Sequence, residues 1–279
     1  MLFKRWEKRT LQVEVTTACN LDCEICLRRN LNIPPRFLPF DEFRKIIDFR
    51  GFRYVGLHGW GEPLLNPDIF RMISYAESKG FITNLTTNGT LLEKHTDDIL
   101  RSGLREIAFG IYTRELFERV LPQVEGFIRE RERRGTRIPK TYLDITLHER
   151  NGRDIASLIK LAREIDVDAV IVHRLFDVYG AGDGKPFPEE EGLFRELREL
   201  SRNLGLELYL PPKHTFPCRI VRRSIFVRVD GKVTPCTYLL EEELGDALED
   251  GIPRILSSEK YKRFVKGMRE HPICGRCRW

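Results

Sequence analysis

Three cysteines at a C-x3-C-x2-C spacing, Cys19, Cys23 and Cys26, follow a short apolar strand read over Leu11–Thr16. No other stretch limits the fold and chemistry of this chain so tightly. Thiolates this close in sequence let one loop wrap a single iron–sulfur cluster. A [4Fe–4S] cubane then has one iron more than the loop has thiolates, and that iron is open to a ligand from outside the protein. The competing reading is a zinc knuckle or a set of buried structural thiols. Zinc needs a fourth donor, commonly a His or Cys at short spacing, and no His lies nearer than His58.

At 279 residues, 41% hydrophobic and 32% charged, the chain has the make-up of a soluble globular protein with one large α/β domain or a domain plus an appendage. No run reaches the length of a membrane span, and Met1–Arg9 is charged without an apolar core, so neither a membrane anchor nor a secretion signal is expected. Seven cysteines in such a chain argue for a reducing, cytoplasmic setting and for metal rather than disulfides. The net charge of +5 is spread along the chain, with no long basic block, and does not indicate nucleic acid. The densest charge, Arg129–Arg134, reads as a solvated helix end. Gln is confined to Gln12 and Gln123 against abundant Glu, Lys and Arg, a bias resembling proteins of heat-loving organisms.

Strands and helices alternate after the cysteine loop. Asp41–Phe49 reads as a helix with Phe43, Ile46 and Ile47 at helical spacing. Strand Phe52–His58 ends in Gly59–Trp60–Gly61–Glu62–Pro63, and helix Asp68–Lys79 stops at Gly80. Strand Phe81–Thr87 ends in Asn88–Gly89, before helix Leu91–Arg101. Strand Arg105–Ile111, helix Glu115–Arg134 with Pro122 as a kink or break, strand Tyr142–Leu147, helix Asp154–Ile165, strand Ala169–His173 and helix Glu189–Leu204 complete the series. Six strand–helix steps predict parallel βαβ units, an α/β partial (β/α)6 barrel with its site at the strand C-termini. From Glu207 the texture changes, Pro211–Pro212 breaks the pattern, and a boundary is expected near residue 205. Beyond it Ile225–Val229 and Lys232–Pro235 read as a β-hairpin around Asp230–Gly231, followed by a helix near Ser258–Met268.

The remaining cysteines, Cys218, Cys236, Cys274 and Cys277, all lie in this C-terminal part. Four thiolates suit an iron–sulfur cluster or a structural zinc, and spacing alone does not decide between them.

The loop cysteines, Gly61–Glu62–Pro63 after the second strand, and the order Cys218, DG hairpin with Val229–Cys236, Leu244–Gly245–Asp246, then Cys274-x2-Cys277 resemble the radical S-adenosylmethionine (radical SAM) family with a C-terminal twitch or SPASM-like extension. The resemblance covers nearly the whole chain. It implies residues 1–205 as the core and 206–279 as an extension holding one auxiliary [4Fe–4S] cluster on Cys218, Cys236, Cys274 and Cys277. It implies that Cys19, Cys23 and Cys26 bind a [4Fe–4S] cluster whose open iron is chelated by SAM. Gly61, Glu62 and Pro63 would meet the methionine group, although Trp60 stands where the family motif has its first glycine. Ile25 would lie by the adenine, where the family often has an aromatic. Asn88 is either a polar cofactor contact or a capping residue, and Phe109–Tyr112 departs from the polar strand end usual in relatives. The implied reaction is reductive cleavage of SAM to a 5′-deoxyadenosyl radical that abstracts hydrogen from a peptide, protein or small-molecule substrate, making the chain an oxidoreductase or maturase. The auxiliary cluster would take or relay an electron, and a ferredoxin or flavodoxin would supply the first one.

On the substrate side His173 and Arg174 end the sixth strand, while Asp177, Tyr179, His148 and Glu149 read as solvated loop residues and Gly180, Gly182 and Gly184 as a lid. Two other classes stand beside the radical enzyme: an iron–sulfur electron carrier or assembly protein without SAM chemistry, and a zinc-stabilised nucleic-acid binder.

Overall fold

A computed structural model of the protein describes residues 10–176, 178 and 187–278. Asp177, Tyr179 and the loop through Gly180, Gly182 and Gly184 lie outside the described residues. Along the chain β1 (Thr10–Val13) leads through the cysteine loop to α1 (Leu27–Asn30) and α2 (Phe40–Ile47). Then β2 (Tyr54–Gly56), α3 (Ile69–Ser78), β3 (Ile82–Thr87), α4 (Leu92–Ser102), β4 (Glu106–Ile111) and α5 (Arg114–Arg133) alternate. They are followed by β5 (Lys140–Leu147), α6 (Ile155–Glu164), β6 (Ala169–Arg174), α7 (Glu190–Leu204) and β7 (Glu207–Tyr209). The C-terminal part adds α8 (Arg219–Arg223), β8 (Ser224–Val227), β9 (Lys232–Thr234), β10 (Gly245–Asp246), α9 (Ile252–Ser257) and α10 (Glu259–Gly267).

The chain packs as two compact units, whose described residues are 10–21, 32–85 and 214–278 in the first, and 22–31, 86–176, 178 and 187–213 in the second. In the first unit β1 lies between β2 and β8, parallel to both, with Gln12 opposite Gly56 on one side and Phe226 on the other. β3 continues the parallel run, while β9 and β10 add antiparallel strands beyond β8. Ile225, Phe226 and Val227 are at most 1% exposed, the continuous apolar run of a strand covered on both faces. The predicted hairpin therefore forms, and its first strand is also a parallel neighbour of β1. Such a pairing leaves no local sequence signal.

In the second unit β4, β5, β6 and β7 are parallel. β7 extends the series beyond the six predicted strands. Along β5, Thr141, Leu143, Ile145 and Leu147 are buried, whereas Lys140, Tyr142, Asp144 and Thr146 remain partly accessible. The period of two collects the polar residues on one face of the sheet.

α5 shows why two expectations shift. Its buried residues Phe117, Val120, Val124, Phe127, Ile128 and Arg131 recur at helical spacing. That stripe carries the helix through Pro122, which sits on the exposed side and costs the helix a backbone hydrogen bond without ending it. The stripe also ends on Arg131, so the charged run Arg129–Arg134 is not wholly solvated. Arg131 is 5% exposed, and its guanidinium donates to Asp168 Oδ2 at 2.6 Å and to Pro139 O at 3.0 Å.

Candidate functional site

The site grows out of the end of β1. Beyond Val13 the chain stays extended to Thr16, whose backbone bridges to Phe37. The Thr17 N–H donates to Arg36 O at 3.0 Å, and the Thr17 hydroxyl donates to Pro34 O at 2.7 Å. The loop after β2 packs against the backbone just before Cys19. Glu62 N–H donates to Ala18 O at 2.8 Å. A Cβ on Gly61 would lie 2.4 Å from Thr16 O and 2.6 Å from Ala18 O, so only glycine allows this approach. Glu62 is 2% exposed, and its Oε1 accepts the Leu64 N–H at 3.0 Å. It caps a 3-10 turn at Pro63–Leu65 in which Pro63 occupies a position that needs no donor.

Glu14 holds the same loop from below. It is 2% exposed, its Oε1 accepts the Trp60 N–H at 3.0 Å, and its Oε2 accepts the Val229 N–H at 3.2 Å. Burial raises its carboxyl to about 7, against the lowering effect of those two N–H groups and of Arg228. A Cβ on Gly59 would meet Glu14 Cγ at 2.5 Å, which accounts for the glycine there. The sequence holds a signal for Glu14, an acid within the apolar run LQVEVT and in phase with Gln12 and Thr16. Sequence reasoning misses its role because its partners are remote.

Cys19, in the first unit, is half-buried, and its Sγ accepts the Leu21 N–H at 3.4 Å. In the second unit Cys23 and Cys26 close a turn, Cys26 N–H to Cys23 O at 3.0 Å, with half-buried Ile25 between them. Arg150 secures the adjoining Glu24 with an ion pair at 2.8 Å. Asn88 is 8% exposed, and its Oδ1 accepts the N–H and hydroxyl of Thr90 at 3.0 and 2.6 Å. Asn88 thus closes a turn before α4, whose N-cap is Leu91 with no side-chain capping bond, so the capping alternative expected of Asn88 is not what these bonds do.

The four C-terminal cysteines are all in the first unit. Cys218 occupies the N-cap position of α8 without a side-chain capping bond, and its N–H donates to Met268 Sδ at 3.0 Å. Cys236 follows β9. Burial pushes its thiol up, the Tyr238 N–H lowers it, and the thiols of Cys274, Cys218 and Cys277 raise it again. Burial likewise pushes Cys274 up to about 12. The His271 Nδ1 accepts the N–H groups of Ile273 and Cys274 at 3.2 and 3.3 Å and shapes the turn that carries them. None of the seven cysteines forms a disulfide, and among the described residues no three His, Cys, Asp or Glu side chains converge on a single-ion site. Donor sets of thiols alone, in a three and a four, suit iron–sulfur ligation.

Trp60 reaches toward this segment. Its indole Nε1–H donates to Thr237 O at 3.2 Å, and its ring meets Tyr238 edge-on with centroids 5.8 Å apart.

In the second unit His173 and Arg174, the two residues expected on the substrate side, point apart, as consecutive strand residues must. His173 Nε2 lies 3.4 Å from Asp144 Oδ1. Burial raises the Asp144 carboxyl and His173 opposes it. Arg174 instead donates to Glu190 Oε2 and to Pro212 O, each at 2.7 Å. His148 departs from the solvated reading: it is 3% exposed, with Nε2 2.9 Å from Tyr112 O. Asp144 belongs to no motif, and only the structure brings it to His173.

The sequence profile of the radical SAM superfamily matches residues 13–183, and that of the iron–sulfur cluster-binding SPASM domain matches residues 218–278. One curated relative is the tungsten-containing aldehyde ferredoxin oxidoreductase cofactor-modifying protein of Pyrococcus furiosus, 24% identical and covering 96% of this chain and 86% of that protein. Another is a probable GTP 3',8-cyclase of Methanococcus vannielii, 25% identical over 96% of this chain and 97% of that one. Among solved structures, SuiB of Streptococcus suis bound to S-adenosylmethionine superposes with a TM-score of 0.79 at 17% identity, covering 96% of this chain and 70% of SuiB. SuiB bound to its precursor peptide SuiA gives 0.71 at 16% identity, over 96% and 66%. These likenesses show the fold, the mixed α/β partial barrel that the strand–helix alternation predicts.

Proposed function

The chain belongs to the radical SAM superfamily, and from that premise we propose that Cys19, Cys23 and Cys26 hold its SAM-binding [4Fe–4S] cluster, with Cys218, Cys236, Cys274 and Cys277 holding an auxiliary one. Residues 1–205 serve as the core and 206–279 as the extension. When bound, the first cluster and SAM supply one-electron cleavage of the cofactor and a radical able to abstract hydrogen from a substrate.

The observation that carries this reading is the Glu62 N–H bond to Ala18 O and the close approach of Gly61 to the carbonyls of Thr16 and Ala18, directly before Cys19. It joins the first cluster ligand to a loop rich in backbone acceptors and a carboxylate, the chemistry that receives an ammonium group. Pro63 fixes the turn, Ile25 gives apolar contact to the cofactor's base, and Asn88 contributes a polar contact beside its bonds to Thr90. His173, with Asp144, faces the substrate. Arg174 fixes the end of β6 through Glu190.

The substrate is a peptide, as for SuiB, or a small molecule of the cofactor class named for the Pyrococcus furiosus relative. A low-potential donor of the ferredoxin or flavodoxin type supplies electrons in the cytoplasm. Among the described residues no helix is long and apolar enough to cross a membrane.

Iron, sulfide and zinc assays on anaerobically purified protein, with spectra of the reduced clusters before and after SAM, test the proposal. About eight irons per chain and one cluster signal that changes with SAM are expected. About four irons plus zinc would remove the auxiliary cluster. A cluster indifferent to SAM would reduce the chain to an electron carrier.

A further inference from the structure

Trp60 and Glu14 tie the loop proposed to receive SAM to the segment that carries Cys236. The Trp60 backbone is held by Glu14, whose other oxygen holds Val229 at the hairpin turn. The Trp60 indole is bonded to Thr237 and packs on Tyr238. Thr237 adjoins Cys236, and the Tyr238 N–H bonds the Cys236 thiol. Loop Gly59–Glu62 thus has two attachments to the C-terminal segment: one from its backbone through a buried carboxylate, one from a side chain to the residue next to a cysteine. A glycine at position 60 would keep the first and lose the second.

We propose that Trp60 and Glu14 are positioning residues through which metal loading of Cys218, Cys236, Cys274 and Cys277 strengthens SAM binding at the Gly61–Glu62 loop. The inference rests on the proposed function. It adds a role for the C-terminal site that is independent of electron transfer: ordering the Cys236–Tyr238 turn orders the indole's acceptor, and with it the loop. Coupling between two binding sites is reciprocal, so SAM must also retain metal at the C-terminal site.

The test uses the full chain, reconstituted anaerobically with iron and sulfide, and reads the SAM dissociation constant from the SAM-dependent signal of the reduced cluster. Trp60→Gly and the Cys274→Ala, Cys277→Ala pair should each weaken SAM binding about tenfold, within the usual range for site-to-site coupling. Combining them should cost little more, because both break one linkage. Trp60→Phe keeps the ring but not the N–H, and should fall between the wild type and Trp60→Gly. Multiplicative losses, near a hundredfold when combined, would overturn the proposal, as would unchanged binding in Trp60→Gly.

A second measurement needs no variant. Iron release from the wild-type C-terminal site to a chelator should slow several-fold with SAM present. An unchanged rate sinks the coupling. If instead the wild type shows no SAM-dependent signal at all, the proposed function itself has failed.

Discussion

The two units hold their polar residues in different ways. In the first, the key groups are clamped by backbone: Glu14 by the N–H groups of Trp60 and Val229, Gly61 against two carbonyls, Glu62 by the Leu64 N–H. In the second, side-chain pairs do more of the holding: Asp144 with His173, Arg174 with Glu190, Arg131 with Asp168, Arg150 with Glu24, the carbonyls of Pro212 and Pro139 adding a bond each to Arg174 and Arg131. A side-chain pair can change rotamer and accept a new partner. A backbone clamp moves only if the chain moves. The first arrangement suits a cofactor that is the same in every turnover, and the second suits the face that meets a particular substrate. Substitutions at the clamps should therefore cost much more than substitutions in the pairs.

The largest loss is expected for Gly61→Ala. Its methyl group would sit 2.4 Å from Thr16 O, with backbone on both sides and no flexible side chain to yield. The loop must shift, at about 1–3 kcal/mol of stability, and SAM binding should be abolished while iron content stays near wild type. Iron assay and SAM titration of the same sample check this. A Gly61→Ala protein that binds SAM normally would break the comparison at its firmest point.

Next comes the Cys274→Ala, Cys277→Ala variant. It should lose product formation while still cleaving SAM to 5′-deoxyadenosine at saturating cofactor. Full product formation would remove the redox role given to the C-terminal thiols.

Much of this is legible in the sequence, for reasons tied to period. The helices and the parallel strands announce themselves through apolar spacing, and the cysteines through their intervals. What is not legible is non-local or short. β7 has only Glu207, Leu208 and Tyr209, with both outer residues exposed, so it shows no apolar run. The parallel pairing of β8 with β1 has no local trace. The bonds of Glu14 reach residues 46 and 215 positions away, and nothing near Glu14 hints at either. For Cys19, Gly61 and Glu62 the motif singles the residues out, but does not show that backbone carbonyls make Gly61 obligatory.

Glu14→Gln sets a clamp against pH. Burial raises this carboxyl from an ordinary value of 4.5 to about 7, so the folded protein binds that proton more tightly than the unfolded chain. Its contribution is therefore fully present below the unfolded value and is lost as pH rises through the folded one. The swing is about 3 kcal/mol, since a tenfold change in proton affinity is worth about 1.4 kcal/mol. Glutamine keeps an acceptor and does not titrate. Urea unfolding should show wild-type stability falling between pH 5 and 8 with a slope that the variant lacks. Parallel profiles would mean that the clamp holds a carboxylate ionised throughout.

The smallest effect belongs to a side-chain pair. His173 Nε2 and Asp144 Oδ1 lie 3.4 Å apart, and burial pushes the Asp144 carboxyl upward while His173 opposes that rise. Both side chains keep some exposure, 33% and 17%, so solvent screens the pair and its loss should cost only about 1 kcal/mol. Urea unfolding of His173→Gln should show that small cost. SAM affinity should not change, because His173 is assigned to the substrate and not to the cofactor. A cost of several kcal/mol would make His173 a packing residue. A drop in SAM affinity would move it from the exchangeable face to the clamped one and erase the distinction between the two units.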